Sequence, residues 1–367
     1  MKIAIIGTRG VPAMYGGFET CAEEISIGLI QMGHCVTVYC RNENSKGNPK
    51  DYKGVNLVYL PHLETKNLGT LSHSLLSFVH AVFQKYDLIL AFNVGLAPIC
   101  IIPKLFGIKI VLNVDGLEWK RKKWGILAKK YFQICEKISG FCVDEIVTDS
   151  KAIQQYYIDK YKTPSVYIAY GAHSEGKLNK KILDKYHLKE DEYFLIASRL
   201  EPENNADLII EAFQKVKTNK KLVIAGGANY KSVYVDKLKS IKDPRIIFLG
   251  PVYEKGHIES LHLGCFAYIH GNEVGGTNPA LLKAMGYGNT ILTLDAIYNK
   301  EVAQDGALYF NKNIESIKSK IELIISDNHI RKSIANKGYR IAKKSFDWRI
   351  VIMRYERLFK IVAQKFD

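Results

Sequence analysis

Paired cysteines are missing from this chain. Its seven cysteines, at positions 21, 35, 40, 100, 135, 142 and 265, are odd in number, form no Cys-x-x-Cys and lie mostly in apolar runs. A disulfide frame and a zinc site are thereby excluded, and the thiols read as the reduced thiols of a cytosolic protein. An unbroken apolar run of bilayer length is also missing. The longest candidate, "LILAFNVGLAPICIIPKLFGIKIVL" (88–112), is interrupted by Asn93, Gly95, Pro98, Pro103 and Lys104, so it reads as two buried strands around a short helix rather than a membrane span. The first residues show no basic-apolar-small cleavage pattern, and no secretory signal is expected. No helix-turn-helix, RNA-binding or zinc-finger signature is present, so nucleic acid is not an expected partner. Acid is scarce too: 37 Asp and Glu stand against 52 Lys and Arg, a net charge of +15. That surplus calls for an anionic partner, either a phosphorylated substrate or an anionic membrane surface.

What is present alternates. Short β-branched runs such as "KIAIIG" (2–7), "CVTVYC" (35–40), "DLILAF" (87–92), "YFLIAS" (193–198), "KLVIAGG" (221–227) and "CFAYIH" (265–270) are separated by amphipathic stretches such as "ADLIIEAFQKV" (206–216). Near-continuous apolar strands alternating with helices indicate parallel sheets covered on both faces. The length suggests two domains. The polar stretch 171–193 carries no strand pattern and reads as the connection between them. The expected fold is α/β, with two Rossmann-like, doubly wound domains facing across a cleft. These are residues 1–172 and 190–344, with a helix at 345–367 that can cross back to the first. Residues 119–137 hold seven Lys or Arg among Trp119, Trp124, Tyr131 and Phe132, a mixture suited to lipid headgroups or to a solvated helix face.

The first strand runs into "GTRGVPAMYGGFET" (7–20). A dinucleotide fingerprint needs G-x-G-x-x-G and an acid at the end of the second strand. Here Arg9 replaces the middle glycine, and the second strand ends in Cys40-Arg41. What the loop retains is Gly16-Gly17 at a helix N-terminus, where free amides and the helix dipole favour an anion. Those glycines equally serve a tight turn. In the second half, Arg199 closes a strand ahead of Glu203-Asn204-Asn205. A guanidinium there suits a phosphate, and an asparagine there suits a helix cap. "HGNEVGGTNPALLKAMGYGN" (270–289) follows another strand. Its Gly275-Gly276-Thr277-Asn278 opens a helix at Pro279, a nest of amides fit for a diphosphate, and Glu273 and Lys283 flank it.

Together "GTRGVPAMYGGFET", "LNVDGLEWKRKKWG" (112–125), "SRLEPENN" (198–205) and "GGTNPALLKAM" (275–285) resemble retaining glycosyltransferases of the GT-B fold. The resemblance is to glycosyltransferase family 4 and, within it, to bacterial rhamnosyltransferases. It implies transfer of a sugar, with dTDP-L-rhamnose as donor, onto a saccharide or polyprenyl-diphosphate saccharide at the inner face of the cytoplasmic membrane. This would be a step of surface polysaccharide synthesis needing no cofactor. UDP- or GDP-sugars remain alternative donors, and an NAD(P)-binding oxidoreductase or a non-catalytic nucleotide-sugar-binding protein remains an alternative class. No Asp-x-Asp pair is available for a divalent ion, so metal independence is expected.

By resemblance, Asp115 lies beside the reacting sugar, with Glu118 and Glu19 as reserve candidates for the acceptor's proton. Gly16, Gly17, Arg199, Asn204, Glu273, Gly275, Gly276, Thr277, Asn278 and Lys283 face the donor. Arg9, Tyr15, Phe18, Lys120, Arg121 and Trp124 face the acceptor or the membrane. Two departures from the family stand out. Asn204 occupies the place of a lysine that shares the diphosphate charge. Lys283, ten residues after Glu273, replaces a second glutamate expected after eight.

Overall fold

The computed structural model describes residues 1–13, 16–42, 47–65, 68–121, 124–227 and 232–364. The chain divides into two compact units: Met1–Tyr170 with Trp348–Asp367, and Gly171–Asp347.

The first unit is built on eight strands: β1 (Lys2–Ile6), β2 (Cys35–Arg41), β3 (Asp51–Tyr52), β4 (Val55–Leu60), β5 (Leu88–Phe92), β6 (Lys109–Asn113), β7 (Glu145–Thr148) and β8 (Val166–Tyr167). They are ordered β3-β4-β2-β1-β5-β6-β7-β8, and only the β3–β4 pair is antiparallel. Strand order reverses between β1 and β5, the point where open α/β sheets bind ligands beyond the carboxyl ends of their strands. The central strands are apolar on both faces, and Ile3–Ile6 and Leu88–Phe92 are wholly buried. Each such side chain contributes about 1.5–3 kcal/mol by leaving water. The last helix, Trp348–Gln364, packs on the first, Gly17–Gln31. Gly28 makes the approach close, since a Cβ there would lie 2.5 Å from Ile352 Cδ1.

The second unit carries β9 (Tyr193–Ala197), β10 (Lys221–Ala225), β11 (Ile246–Gly250), β12 (Ala267–His270), β13 (Ile291–Leu294) and β14 (Leu308–Phe310). All are parallel, in the order β11-β10-β9-β12-β13-β14. The order reverses between β9 and β12. One face of this sheet packs Phe194, Ile196, Ile224 and Ile269 against Ile209, Ile210 and Phe213 of the helix Ala206–Gln214. The stretch 171–193 belongs to this unit and includes a short helix, Lys180–Lys185.

Candidate active site

In the first unit the glycine loop leaves β1 at the switch point. Gly7 and Gly10 take positive φ (100° and 122°), a region open to glycine at no steric cost. A Cβ on Gly10 would lie 2.6 Å from Cys40 Sγ, so the turn also demands the absence of a side chain. The helix that follows starts with Gly16 in extended conformation at its cap, and no side-chain cap bond is made to its first amides among the described residues. Two carboxylates of that helix reach back to the loop. Glu19 Oε1 accepts from the Arg9 amide at 3.0 Å, and Glu23 Oε2 accepts from the Ala13 amide at 2.6 Å. Glu19 is buried. Its carboxylate holds the loop shut, a structural use that accounts for it without proton transfer. Phe18 packs on Phe92, ring centroids 5.3 Å apart. Tyr15 lies outside the described residues.

Beyond β6, Asp115 adopts φ 57°, an uncommon conformation for a residue with a Cβ and one that gathers at functional sites. Its amide donates to Asn113 Oδ1 at 3.0 Å, and Tyr170 Oη donates to its Oδ1 at 3.2 Å. Arg121 Nη2 lies 3.7 Å from Asp115 Oδ2, and Arg121 Nε donates to Glu118 Oε1 at 2.7 Å. Trp124 Nε1 donates to Glu118 Oε2 at 2.9 Å, and its ring packs on Phe132. Asp115, Glu118, Arg121 and Trp124 therefore form one network. Arg121 and Trp124 turn their nitrogens inward, to the two carboxylates of this network. Lys120 is exposed, its ammonium 5.6 Å from the Trp119 ring. Burial pushes the Asp115 carboxyl above its usual range; Arg121 pulls it down and Glu118 pushes it up again. An acid so poised can exchange a proton nearer neutrality.

Sequence reasoning missed three supports of this network: Tyr170, Asn113 and Tyr355. Asn113 Nδ2 donates to Tyr355 Oη at 2.8 Å, which ties the last helix to the end of β6. A polar residue closing an otherwise apolar strand, as in "KIVLNV", was the available signal.

In the second unit Arg199 follows β9 and the second glycine loop follows β12, so both stand at the switch point. Arg199 is exposed, and its guanidinium makes no hydrogen bond or ion pair among the described residues. Asn204 is buried and donates through Nδ2 to the Arg199 carbonyl at 2.7 Å. It shapes the arginine's turn, so its amide nitrogen does not take over the missing lysine's charge. Its neighbour Asn205, read from sequence as a helix cap, makes no cap bond. Instead its Nδ2 donates to Gly271 O and to Glu273 Oε1, both at 2.8 Å, and so joins the two loops.

Glu273 also pairs with Lys312, beyond β14. Gly275 has φ 148°, with open space where a Cβ would stand. Gly276 and Thr277 are buried. Asn278 Oδ1 accepts from the Ala280 amide at 3.0 Å and caps the helix Pro279–Gly286, which occupies that oxygen. Lys283, on the same helix, lies close enough to His262 to disfavour its protonation. Three polar atoms at this end, Glu203 Oε2, His270 Nε2 and Asn272 Oδ1, are buried without a protein partner. Such atoms need a ligand or ordered water.

Comparison with known proteins follows this division. Residues 1–173 match a family described as Domain of unknown function (DUF1972). Residues 179–341 match Glycosyl transferases group 1. An uncharacterized glycosyltransferase of Methanocaldococcus jannaschii is 22% identical over 99% of this chain and 99% of its own. Sucrose-phosphate synthase of Thermosynechococcus elongatus is similar in structure, with a TM-score of 0.81, 14% identity and 98% of each chain covered. HepE of Anabaena, solved in complex with UDP, has a TM-score of 0.78 at 16% identity, covering 98% of this chain and 100% of its own.

The two parallel-sheet units and the domain carried by the second define a glycosyltransferase of the GT-B fold. More narrowly, the domain of the second unit, over residues 179–341, is of the glycosyl transferases group 1 type.

Proposed function

We propose that the protein is a retaining, metal-independent glycosyltransferase of family 4. It moves L-rhamnose from dTDP-L-rhamnose to a lipid-linked saccharide at the inner face of the cytoplasmic membrane. The observation that carries the donor half is the pairing of an exposed, unengaged Arg199 with the glycine loop 275–277 on the two strands that flank the second switch point. Cleaving a sugar–diphosphate bond leaves negative charge on the diphosphate and positive charge on the anomeric carbon. Preorganised donors aimed at the leaving group stabilise that separation. Arg199, the amides of Gly275, Gly276 and Thr277, and the N-terminus of the helix Pro279–Gly286 supply them. Glu273, held by Asn205 and Lys312, is placed for sugar or ribose hydroxyls, and His270 Nε2 and Asn272 Oδ1 add unsatisfied hydrogen-bonding capacity. Asp115, steadied by Arg121 and Tyr170, orients the sugar or relays the acceptor's proton.

A second reading keeps the reaction and changes the base: HepE, similar in fold, was solved with UDP. Thermal-shift measurements with dTDP, UDP, GDP and NADH separate these readings, because a ligand that binds only the folded state raises its stability. We expect a shift with dTDP and none with NADH. A shift with UDP alone moves the donor to a uridine sugar, and a shift with NADH alone ends the transferase assignment of this site.

A further inference from the structure

The helices Gly69–Val82, Ala97–Leu105 and Ile126–Cys142 connect β4 to β5, β5 to β6 and β6 to β7. All three crossings run the same way along the sheet. Right-handed connection therefore puts the helices on one face, side by side and parallel, and the first packs on the second and the second on the third. Lys104 Nζ, on the second, donates to Phe141 O and Val143 O at the end of the third (3.2 and 2.9 Å). The C-terminal ends of these two helices are thus neighbours.

The outward side of this layer is apolar. Of the twenty exposed large hydrophobic residues among those described, eleven belong to these helices and the residues that end them, against three in the whole second unit. The third helix shows the pattern most clearly. Leu127, Lys130, Ile134, Lys137 and Phe141 follow one another at helical spacing and are all exposed, Leu127 by 84% and Phe141 by 82%. Phe83 and Phe106 end the other two helices and are exposed by 75% and 67%. A contiguous apolar face on a monomer marks an interaction surface.

Charge says what it meets. The three helical stretches contain one acidic residue, Glu136. It is buried, accepting hydrogen bonds from Tyr156 and Tyr161. Lysine is the only charged residue type on the outward side. A protein partner is ordinarily mixed in charge, whereas an anionic bilayer offers acyl chains and phosphates without cations to oppose. No described helix is long and apolar enough to cross a membrane, so the layer would lie in the interface, apolar residues dipped and lysines at the headgroups.

We propose that the outward face of these three helices docks the protein on an anionic phospholipid surface. The docking element is then this apolar, lysine-studded layer and not the inward-turned Arg121 and Trp124. Its purpose rests on the lipid-linked acceptor proposed above, but its test does not. The experiment is flotation of the full chain, without sugar donor, on vesicles of phosphatidylcholine and on vesicles of phosphatidylcholine mixed with phosphatidylglycerol. One variant combines Phe83→Ser, Phe106→Ser and Phe141→Ser; a second combines Lys130→Glu and Lys137→Glu. A control changes Val233→Ser and Ile297→Ser, exposed apolar residues of the second unit.

We expect binding to the mixed vesicles, weaker binding to phosphatidylcholine alone, and a loss of roughly tenfold or more in each helix variant. The control should bind like the parent. All changes are on the surface, and unchanged circular dichroism verifies folding. The proposal falls if the parent ignores the mixed vesicles, if either helix variant binds like the parent, or if the control loses as much. It falls equally if sedimentation velocity shows a dimer that the triple variant dissolves, because a second copy then covers the face. Transfer to a lipid-linked acceptor in detergent, measured alongside, judges the acceptor separately. Transfer without vesicle binding removes only the docking face.

Discussion

Arg121 and Arg199 each stand beyond a strand at the carboxyl edge of a parallel sheet, one in each unit, and they are used in opposite ways. Arg121 is mostly buried, bonded to Glu118 and 3.7 Å from Asp115. Arg199 is exposed and bonded to nothing through its guanidinium among the described residues. The loops differ likewise. The first unit's glycine loop is closed by Glu19 and Glu23, while the second's meets open space at Gly275. Two Rossmann-like sheets with ligand-type switch points have thus diverged. The first satisfies its own charges and holds a carboxyl at raised pKa; the second leaves the Arg199 guanidinium unengaged among the described residues. In the proposed mechanism the first handles the acceptor's proton and the second holds the anion.

Breaking the first half of that contrast has the largest expected effect. Asp115→Asn keeps the shape and removes the titrating group. Transfer should fall on the order of 100-fold or more, while the nucleotide-induced thermal shift stays. Full activity in a radiolabelled sugar-transfer assay would end the assignment.

Arg199→Ala attacks the second half. Hydrogen bonds to a charged group are worth about 1.5–3 kcal/mol, so the dissociation constant of the nucleoside diphosphate should rise roughly ten- to a hundredfold. Titration calorimetry measures it. Arg121→Ala should leave this constant unchanged, and equal losses for the two arginines would erase the contrast.

The glycines offer a smaller, structural version. Gly10→Ala forces a side chain into left-handed backbone and against Cys40, and should cost about 2 kcal/mol. Gly275→Ala meets strain but no neighbour and should cost about half as much. All three tryptophans, Trp119, Trp124 and Trp348, lie in the first unit. Their fluorescence in urea therefore follows Gly10→Ala and is blind to Gly275→Ala.

Strand positions and the two-sheet fold were legible because buried parallel strands are continuous apolar runs. "CVTVYC" and "KLVIAGG" became β2 and β10 almost residue for residue. The two-residue β3 escaped, being polar and too short for any period. At the site, residue types were readable and partners were not. That Asn205 rather than Asn204 reaches Glu273 depends on a left-handed turn at Asn205, which no spacing rule reveals. That Lys312 meets Glu273 depends on β14 lying two strands from β12, a fact of sheet order. Glu19 looked catalytic by its place in a motif, and only its bond to the Arg9 amide shows it holding the loop.

Acid separates the units most subtly. In the second, burial holds His262 and His270 near a pKa of about 3 each, with Lys283 adding to the effect at His262. The unfolded rings titrate near 6.5. As pH falls below that value the unfolded chain takes up protons that the folded unit refuses, so stability is lost, by roughly 2 kcal/mol per ring at pH 5. The first unit has one such ring, His73, at about 4. It also has two acids, Asp115 and Glu136, whose raised pKa values act in the other direction. Their folded forms bind protons before the unfolded chain does, so falling pH restores stability through their range. Between pH 7 and pH 5 the second unit should therefore weaken more than the first. Far-ultraviolet circular dichroism in urea, which sees both units, should separate from tryptophan fluorescence, which sees one. His270→Leu removes a titrating ring and should bring the two curves closer together. Curves that coincide at pH 5 in the parent would show that burial of these histidines does not govern the acid stability of the second unit.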